Sequence, residues 1–260
     1  MRPRCATMAL HRSLFAMILA GLVAACASVP PRETSAYRDY VARNDPIEPM
    51  NRYFFEVNRG LDELFLKPAS AAYAAALPDP VQDSVRSFLR NLSTPLILAN
   101  DLLQAEGERA EVTLSRFLVN TSIGVLGVFD VATEIGLEYH DEDFGQTMAV
   151  AGIPGGPYLM LPLLGPSNPR DLFGRVVEWF VDPVSYVVGQ DAQLARTGVT
   201  SVDARNRNAK TIDALQQQSV DFYATIREAY RQRRRDEIRN RPTGDDTTGP
   251  GVVFEDDGPF

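Results

Sequence analysis

Beyond residue 26 no apolar run reaches the ~18 residues of a membrane-crossing helix, yet the apolar faces are broader than a small soluble bundle needs. From Glu48 the spacing predicts a helix. Met50, Tyr53, Phe54, Val57, Leu61, Leu64 and Phe65 recur at steps of three and four, with Asn51, Arg52, Glu56, Asn58 and Asp62 elsewhere on the wheel. Phe55 falls off that stripe. Asp45-Pro46-Ile47-Glu48 reads as a capping start, with regular helix from near Glu48, and Lys67-Pro68 reads as the end. Further helices are expected over Pro80 to Asn91, with Val81, Val85, Phe88 and Leu89 on one side, and over Pro95 to Gln104. Glu106 to Thr121 places Ala110, Leu114, Phe117 and Leu118 at core spacing. One long helix carrying Ile212, Leu215, Ser219, Phe222 and Ile226 closes in REAYRQRRR. No segment alternates strictly by two, so the fold class is all-α.

Two segments break this pattern. NTSIGVLGVFDVATEIG, Asn120 to Gly136, is apolar around most of its circumference and contains Gly124 and Gly127; taken alone it reads as a buried core hairpin. In Gly152 to Pro169, nine of the eighteen residues are Gly or Pro and most others are Ile, Tyr, Leu or Met. That is too apolar for a surface loop and too rich in Gly and Pro for a helix or a strand. Segments like these, where they meet lipid, lie in one leaflet instead of spanning two. Irregular backbone at membrane depth persists only when buried in protein or lining a wet cavity. The second segment therefore suits the wall or rim of a pore built by helices.

The N-terminus is more explicit. Arg2, Arg4 and Arg12 precede the apolar run Leu14 to Ala25, and Val23-Ala24-Ala25-Cys26 has the form of a bacterial lipobox. Residues 1–25 read as a lipoprotein signal peptide and Cys26 as the acylated N-terminus. Residues 26–44 read as lipidated end and linker, 45–236 as the helical domain, and 237–260 as a disordered acidic tail. Cys5 lies in the removed segment, so no disulfide forms within the chain. Cleavage removes three arginines and no acid, taking the net charge from −8 to −11 over 235 residues. That balance argues against nucleic acid, for which basic surface supplies most of the affinity.

Catalytic reagents are scarce. The mature chain has one histidine, His140, without a G-x-S-x-G elbow. His140-Asp141-Glu142-Asp143 lacks a second histidine at metal-ligand spacing and reads as a solvated acidic turn. Gly152 to Pro157 is not a phosphate loop, because its prolines remove N–H donors. Arg227, Arg231, Arg233, Arg234 and Arg235 read as a solvated helix end, with head-group contact as the alternative.

DPIEPMNRYFFEVN, RFLVNTSIGVLGVFDVA, EDFGQTMAVAGIPGGPYLMLPLLGPSNPRD and SVDFYATIREAYRQRR resemble, in order, the motifs of the MlaA (VacJ) family of outer-membrane lipoproteins. The resemblance runs from Asp45 to about Arg235; Phe222 stands where many members have Pro. It implies a ring-like helical domain, embedded in one leaflet, with an amphipathic central channel. It further implies non-enzymatic transport of phospholipid from the outer leaflet of the outer membrane to the periplasmic carrier MlaC. The resemblance also implies that trimeric porins hold the ring and that an ATP-driven inner-membrane complex receives the lipid. No cofactor is implied beyond the N-acyl and S-diacylglycerol groups on Cys26, with phospholipid as cargo. The segments Asn120–Gly136 and Gly152–Gly165 are expected to supply the outer belt and channel mouth. Candidate channel or belt positions are Asn51, Arg52, Asn58, Asn120, Gly124, Gly127, Asp130, Tyr158 and Leu161. The competing reading is an envelope lipoprotein that only scaffolds porins; lipid hydrolysis through His140 is a third.

Overall fold

The computed structural model describes residues 43–240. The expected signal peptide, Cys26, most of the expected linker and the expected tail from residue 241 lie outside the described residues.

The first helix, α1 (Glu48–Leu61), does not stop at Lys67-Pro68. It passes through a π-helical stretch, Asp62–Leu66, into α2 (Lys67–Ala76). A proline lacks the N–H for the helical ladder and its ring clashes with the carbonyl four residues back. One widened turn, in which Lys67 N–H bonds the Asp62 carbonyl, shifts the register and leaves Pro68 in the first turn of α2. The two helices expected around Pro95 are likewise one, α3 (Asp79–Leu103), with Pro95 inside it. In the turn below the proline, the Ser93 and Thr94 hydroxyls donate to the Leu89 and Arg90 carbonyls.

There follow α4 (Gly107–Ser122), the short α5 (Val131–Glu134) and α6 (Phe144–Val150). Next come β1 (Leu159–Leu161) and β2 (Gly165–Ser167), an antiparallel pair with Met160 opposite Pro166. The Gly/Pro-rich stretch thus forms a three-residue hairpin where no strand was expected. Then α7 (Pro169–Val181) and α8 (Pro183–Arg207), kinked at Gly189 (φ 76°), occupy a region the apolar spacing left unassigned. The expected single C-terminal helix is two, α9 (Ala209–Gln218) and α10 (Phe222–Ile238). Ser219 is extended and the Asp221 carboxylate caps α10 by accepting from Ala224 N–H. α10 runs to Ile238, two residues past the expected end of the helical domain at residue 236.

Packing closes a circuit. α1 lies against β1, β1 pairs with β2, β2 meets α10, α10 meets α6, and α6 meets α3. From α3 the circuit passes to α8, to α2, and through the π stretch back to α1. α4 lies on α3, and α7 lies on α6. The fold is a ring-like helical one carrying a single tiny sheet among the described residues.

Its interior is unusual. One apolar cluster, Phe55, Tyr158, Met160 and Tyr223, joins α1, the hairpin and α10, with rings edge-on at 5.6 to 6.1 Å. Among the described residues, ten apolar side chains are buried against twenty-three polar or charged ones, and twenty-eight large apolar side chains are exposed. Ordinary soluble domains show the reverse preference.

Candidate functional site

The α1 stripe shows how the inversion arises. Tyr53, Leu64 and Phe65 are exposed, whereas Asn51 and the off-stripe Phe55 are buried. The amphipathic helix is present, but polar Asn51 is turned inward, while Met50, Phe54, Val57 and Leu61 are half-buried and Glu56 and Arg59 are exposed. The same holds for α4, where Leu114 and Leu118 face out while Thr113, Arg116 and Asn120 are buried. In α7 Phe173, Val176 and Phe180 are out while Arg170, Asp171 and Gly174 are in. Leaving one such side chain in water forfeits about 1.5–3 kcal/mol relative to burying it. A monomeric soluble protein does not carry this much exposed apolar surface.

The turn after α4 belongs to that exterior. Ile123, Val125, Leu126 and Phe129 are exposed, so Asn120–Gly136 is not a buried core hairpin. Its backbone is held from beneath. Gly127 N–H bonds the Asn120 carbonyl at 2.7 Å, and Phe129 N–H bonds the Gly124 carbonyl at 2.9 Å. The Asn91 amide donates to Thr121 Oγ1 and the Leu126 carbonyl. Val125 and Leu126 adopt φ of 54° and 60°, a conformation L-residues hold only where surroundings enforce it. A Cβ on Gly124 would lie 2.3 Å from the Phe129 carbonyl oxygen, and one on Gly127 (φ 90°) 2.3 Å from Asn91 Cβ.

The hairpin is held by two asparagines. Asn51 donates to the Tyr158 carbonyl at 3.0 Å and accepts from Met160 N–H at 2.9 Å. Asn58 donates to the Leu161 carbonyl and accepts from Leu163 N–H, both at 2.8 Å. Seven residues apart, they share one face of α1, and each side-chain amide stands in for a neighbouring strand's peptide along β1. The base of the hairpin is buried through Tyr158 and Met160; its tip, Leu163 and Leu164, is exposed. A strand that nothing in its own composition favours is formed because a helix supplies its hydrogen-bond partners.

Polar groups inside meet one another. Asp45 does not cap α1. Its carboxylate accepts from Asn51 at 2.7 Å, from Arg227 at 3.1 Å and from the Tyr223 hydroxyl. Arg234 lies between Asp143, at 2.6 and 2.7 Å, and Asp171. Burial pushes the Asp143 carboxyl up, but the Arg234 charge and hydrogen bonds outweigh it and hold that carboxyl below its usual range. Glu142 accepts from Arg109 at 2.7 Å and from Gln104 at 2.8 Å. The acidic turn and the arginine-rich end are therefore only partly solvated: Glu142, Arg227 and Arg234 are buried and their charges are paired, while Asp141 and Arg235 are exposed. His140 Nε2 faces Thr113 Oγ1 at 3.0 Å and both oxygens of the fully buried Asp101 at 3.2 Å.

A side chain lining a channel or facing lipid is reachable by water in the bare protein. Asn51, Asn120 and Tyr158, exposed by 1, 5 and 2 %, are not; they are structural, fixed by the bonds and packing just given. Asn120 donates to Asp130 at 2.9 Å and accepts from Ala132 N–H, and Asp130 caps α5 and pairs with Arg116 at 2.9 Å. Arg52 bridges Glu48 and Asp221. Asn58 and Leu161 sit at the half-buried part of the hairpin latch. Gly124 and Gly127 lie in the exposed turn. Sequence reasoning missed Asp45, Asp143 and Asp171 as partners of the interior; an acidic residue within a family motif, facing an arginine-rich helix, was the available signal.

The MlaA lipoprotein family profile matches residues 43–237. The intermembrane phospholipid transport system lipoprotein MlaA of Haemophilus influenzae is 32% identical over 220 residues, covering 83% of this chain and 87% of that one. Its counterpart in Escherichia coli K12 is 30% identical, covering 76% and 80%. An uncharacterised protein of Rickettsia bellii is 35% identical over 73% of this chain and 75% of its own. A structure solved in work on maintenance of bacterial outer membrane lipid asymmetry superposes with a TM-score of 0.69 at 29% identity, over 75% of this chain and 98% of that one.

Fold and site together define a ring-like helical protein whose greasy side chains point outward and whose polar ones meet within, and no helix among the described residues is long and apolar enough to cross a membrane. The chain belongs to the MlaA lipoprotein family.

Proposed function

We propose that this chain is an outer-membrane lipoprotein of intermembrane phospholipid transport, which takes phospholipid mislocalised in the outer leaflet and passes it to the periplasmic carrier MlaC. The observation that carries the reading is the inverted polarity of the ring in a member of this family. Outward apolar faces suit acyl chains of the inner leaflet. An amphipathic passage through the ring gives a charged head group a polar route, where even one charged side chain at the bilayer centre costs ~2.5–3.5 kcal/mol or more. Acyl chains on Cys26 tether the domain, each buried CH₂ contributing about 0.8 kcal/mol. Trimeric porins hold the ring in place.

The reading is non-enzymatic. A hydrolytic relay sets histidine between nucleophile and acid through its two different nitrogens; here Nε2 of His140 faces both Thr113 and Asp101. A passive passage relaxes a gradient, so net direction comes from an energised inner-membrane complex.

Deleting the gene in its own host tests this. Surface-labelled phospholipid in the outer leaflet should rise, detergent resistance should fall, and the full chain should restore both while Cys26→Ala does not. Unchanged outer-leaflet phospholipid in the deletion strain would overturn transport and leave a scaffold for porins.

A further inference from the structure

We propose that Arg175 binds the phosphate of a phospholipid head group at the surface beside the tip of the β1–β2 hairpin; this rests on the transport reading and places one end of the cargo. Arg175 is half-buried on α7, between the inward residues Asp171 and Gly174 and the outward Val176 and Trp179. Its Nη1 donates to the Leu164 carbonyl at 3.2 Å, and among the described residues it closes no ion pair. The neighbouring carboxylates are engaged elsewhere. Asp171 is held by Arg170 and Arg234, and Asp143 by Arg234. Glu178 accepts from Phe144 N–H at 2.5 Å, and burial pushes its carboxyl up to about 7. Asp143 and Glu178 feel the Arg175 charge through space without closing on it. One bond to a neutral carbonyl orients the guanidinium and leaves its other N–H groups for an anion, and a planar fork suits phosphate oxygens.

What surrounds this cation is apolar. Leu163 and Leu164 at the hairpin tip are exposed, as are Val176 and Trp179 on α7. Trp179 lies one helical turn beyond Arg175 on the same side. Where such side chains meet acyl chains, an arginine without a counter-charge is expensive, and a lipid phosphate removes that cost. Arginine beside tryptophan is the pairing that marks head-group level in membranes. The tip is also fixed from two sides, by Asn58 accepting from Leu163 N–H at 2.8 Å and by Arg175, so the guanidinium has a set position before lipid arrives. An amphiphile meets both the charge and the apolar collar. A bare anion leaves the collar uncovered.

Trp179 is the chain's single tryptophan, so its fluorescence reads what sits beside Arg175. The full acylated protein in detergent is titrated with a phosphatidylethanolamine carrying brominated acyl chains and with the diacylglycerol carrying the same chains, whose bromines quench the indole on contact. Inorganic phosphate is then added as competitor. The phospholipid should quench at a mole fraction about tenfold below the diacylglycerol, and Arg175→Gln should erase that advantage. Inorganic phosphate should leave the quenching unchanged. Should Arg175→Gln be poorly folded, Arg175→Lys takes its place; it keeps the charge without the fork and should lose part of the advantage, and no loss overturns the site. Phospholipid and diacylglycerol quenching alike in the wild type, or the advantage surviving intact in Arg175→Gln, also overturns it. Phosphate that restores fluorescence at the lipid's own concentration assigns Arg175 to free anion and overturns it too. If the site fails while the wild-type chain still restores the barrier of the deletion strain, the transport reading survives; if the chain restores nothing, that reading falls first.

Discussion

Asn51 and Asn58 show what one residue decides here. On a helical wheel they are the wet side of α1; in the fold they are the partners of a strand edge. Asn51→Ala leaves the Tyr158 carbonyl, Met160 N–H and Asp45 short of a partner, and should lower stability by about 1–3 kcal/mol in denaturant unfolding. Asn58→Ala, at the half-exposed rung, should cost less. The spacing of these asparagines was visible in the sequence, but their partners lie about a hundred residues away and no local pattern names them. Glu178 is a second case. Burial, with Asp143 adding to it, pushes its carboxyl up from 4.5 to about 7 while it accepts from Phe144 N–H at 2.5 Å. Between those values the folded state keeps a proton that the unfolded chain has lost, so stability falls as pH rises from 4.5 to 7. Glu178→Gln keeps an acceptor without the charge. It should melt roughly 5 °C higher at pH 8 and show no gain near pH 4.5; an equal gain at both would refute this account of the carboxyl.

Among elements, helical periodicity was legible and helix boundaries were not. Proline was read as a stop at Pro68 and between two helices at Pro95, yet a π turn and a continuous helix absorb them. Ser219 to Asp221 was read through, yet it breaks and caps. The turn after α4 was identified as a glycine-dependent apolar unit, and its geometry sharpens the test. Because a Cβ on Gly124 would meet the Phe129 carbonyl at 2.3 Å, even Gly124→Ala should displace the turn and impair lipid removal, and Gly124→Val more so. Normal outer-leaflet phospholipid in both variants would show that the turn is dispensable. For α10 the test is Arg234→Ala. It strands Asp143 without its cation, while Asp171 keeps Arg170, a loss of about 3–5 kcal/mol for a broken buried pair, measured by thermal or denaturant unfolding.

For the whole molecule, amphipathicity was legible but its direction was not. Periodicity reports that a helix has two faces; which face turns inward depends on the solvent outside. The sequence places Leu118 and Phe65 at core spacing, and the fold turns both outward. The absence of a spanning run, together with the Gly/Pro-rich apolar hairpin, was the clue that the exterior medium is not simply water. Spin labels report that medium directly. Leu118→Cys, Phe129→Cys and Phe180→Cys, labelled in the acylated protein reconstituted into phospholipid vesicles, should relax faster with dissolved oxygen than with a water-soluble nickel chelate, as lipid-facing sites do. Faster relaxation by the nickel chelate at all three positions would place these faces in water and contradict the account.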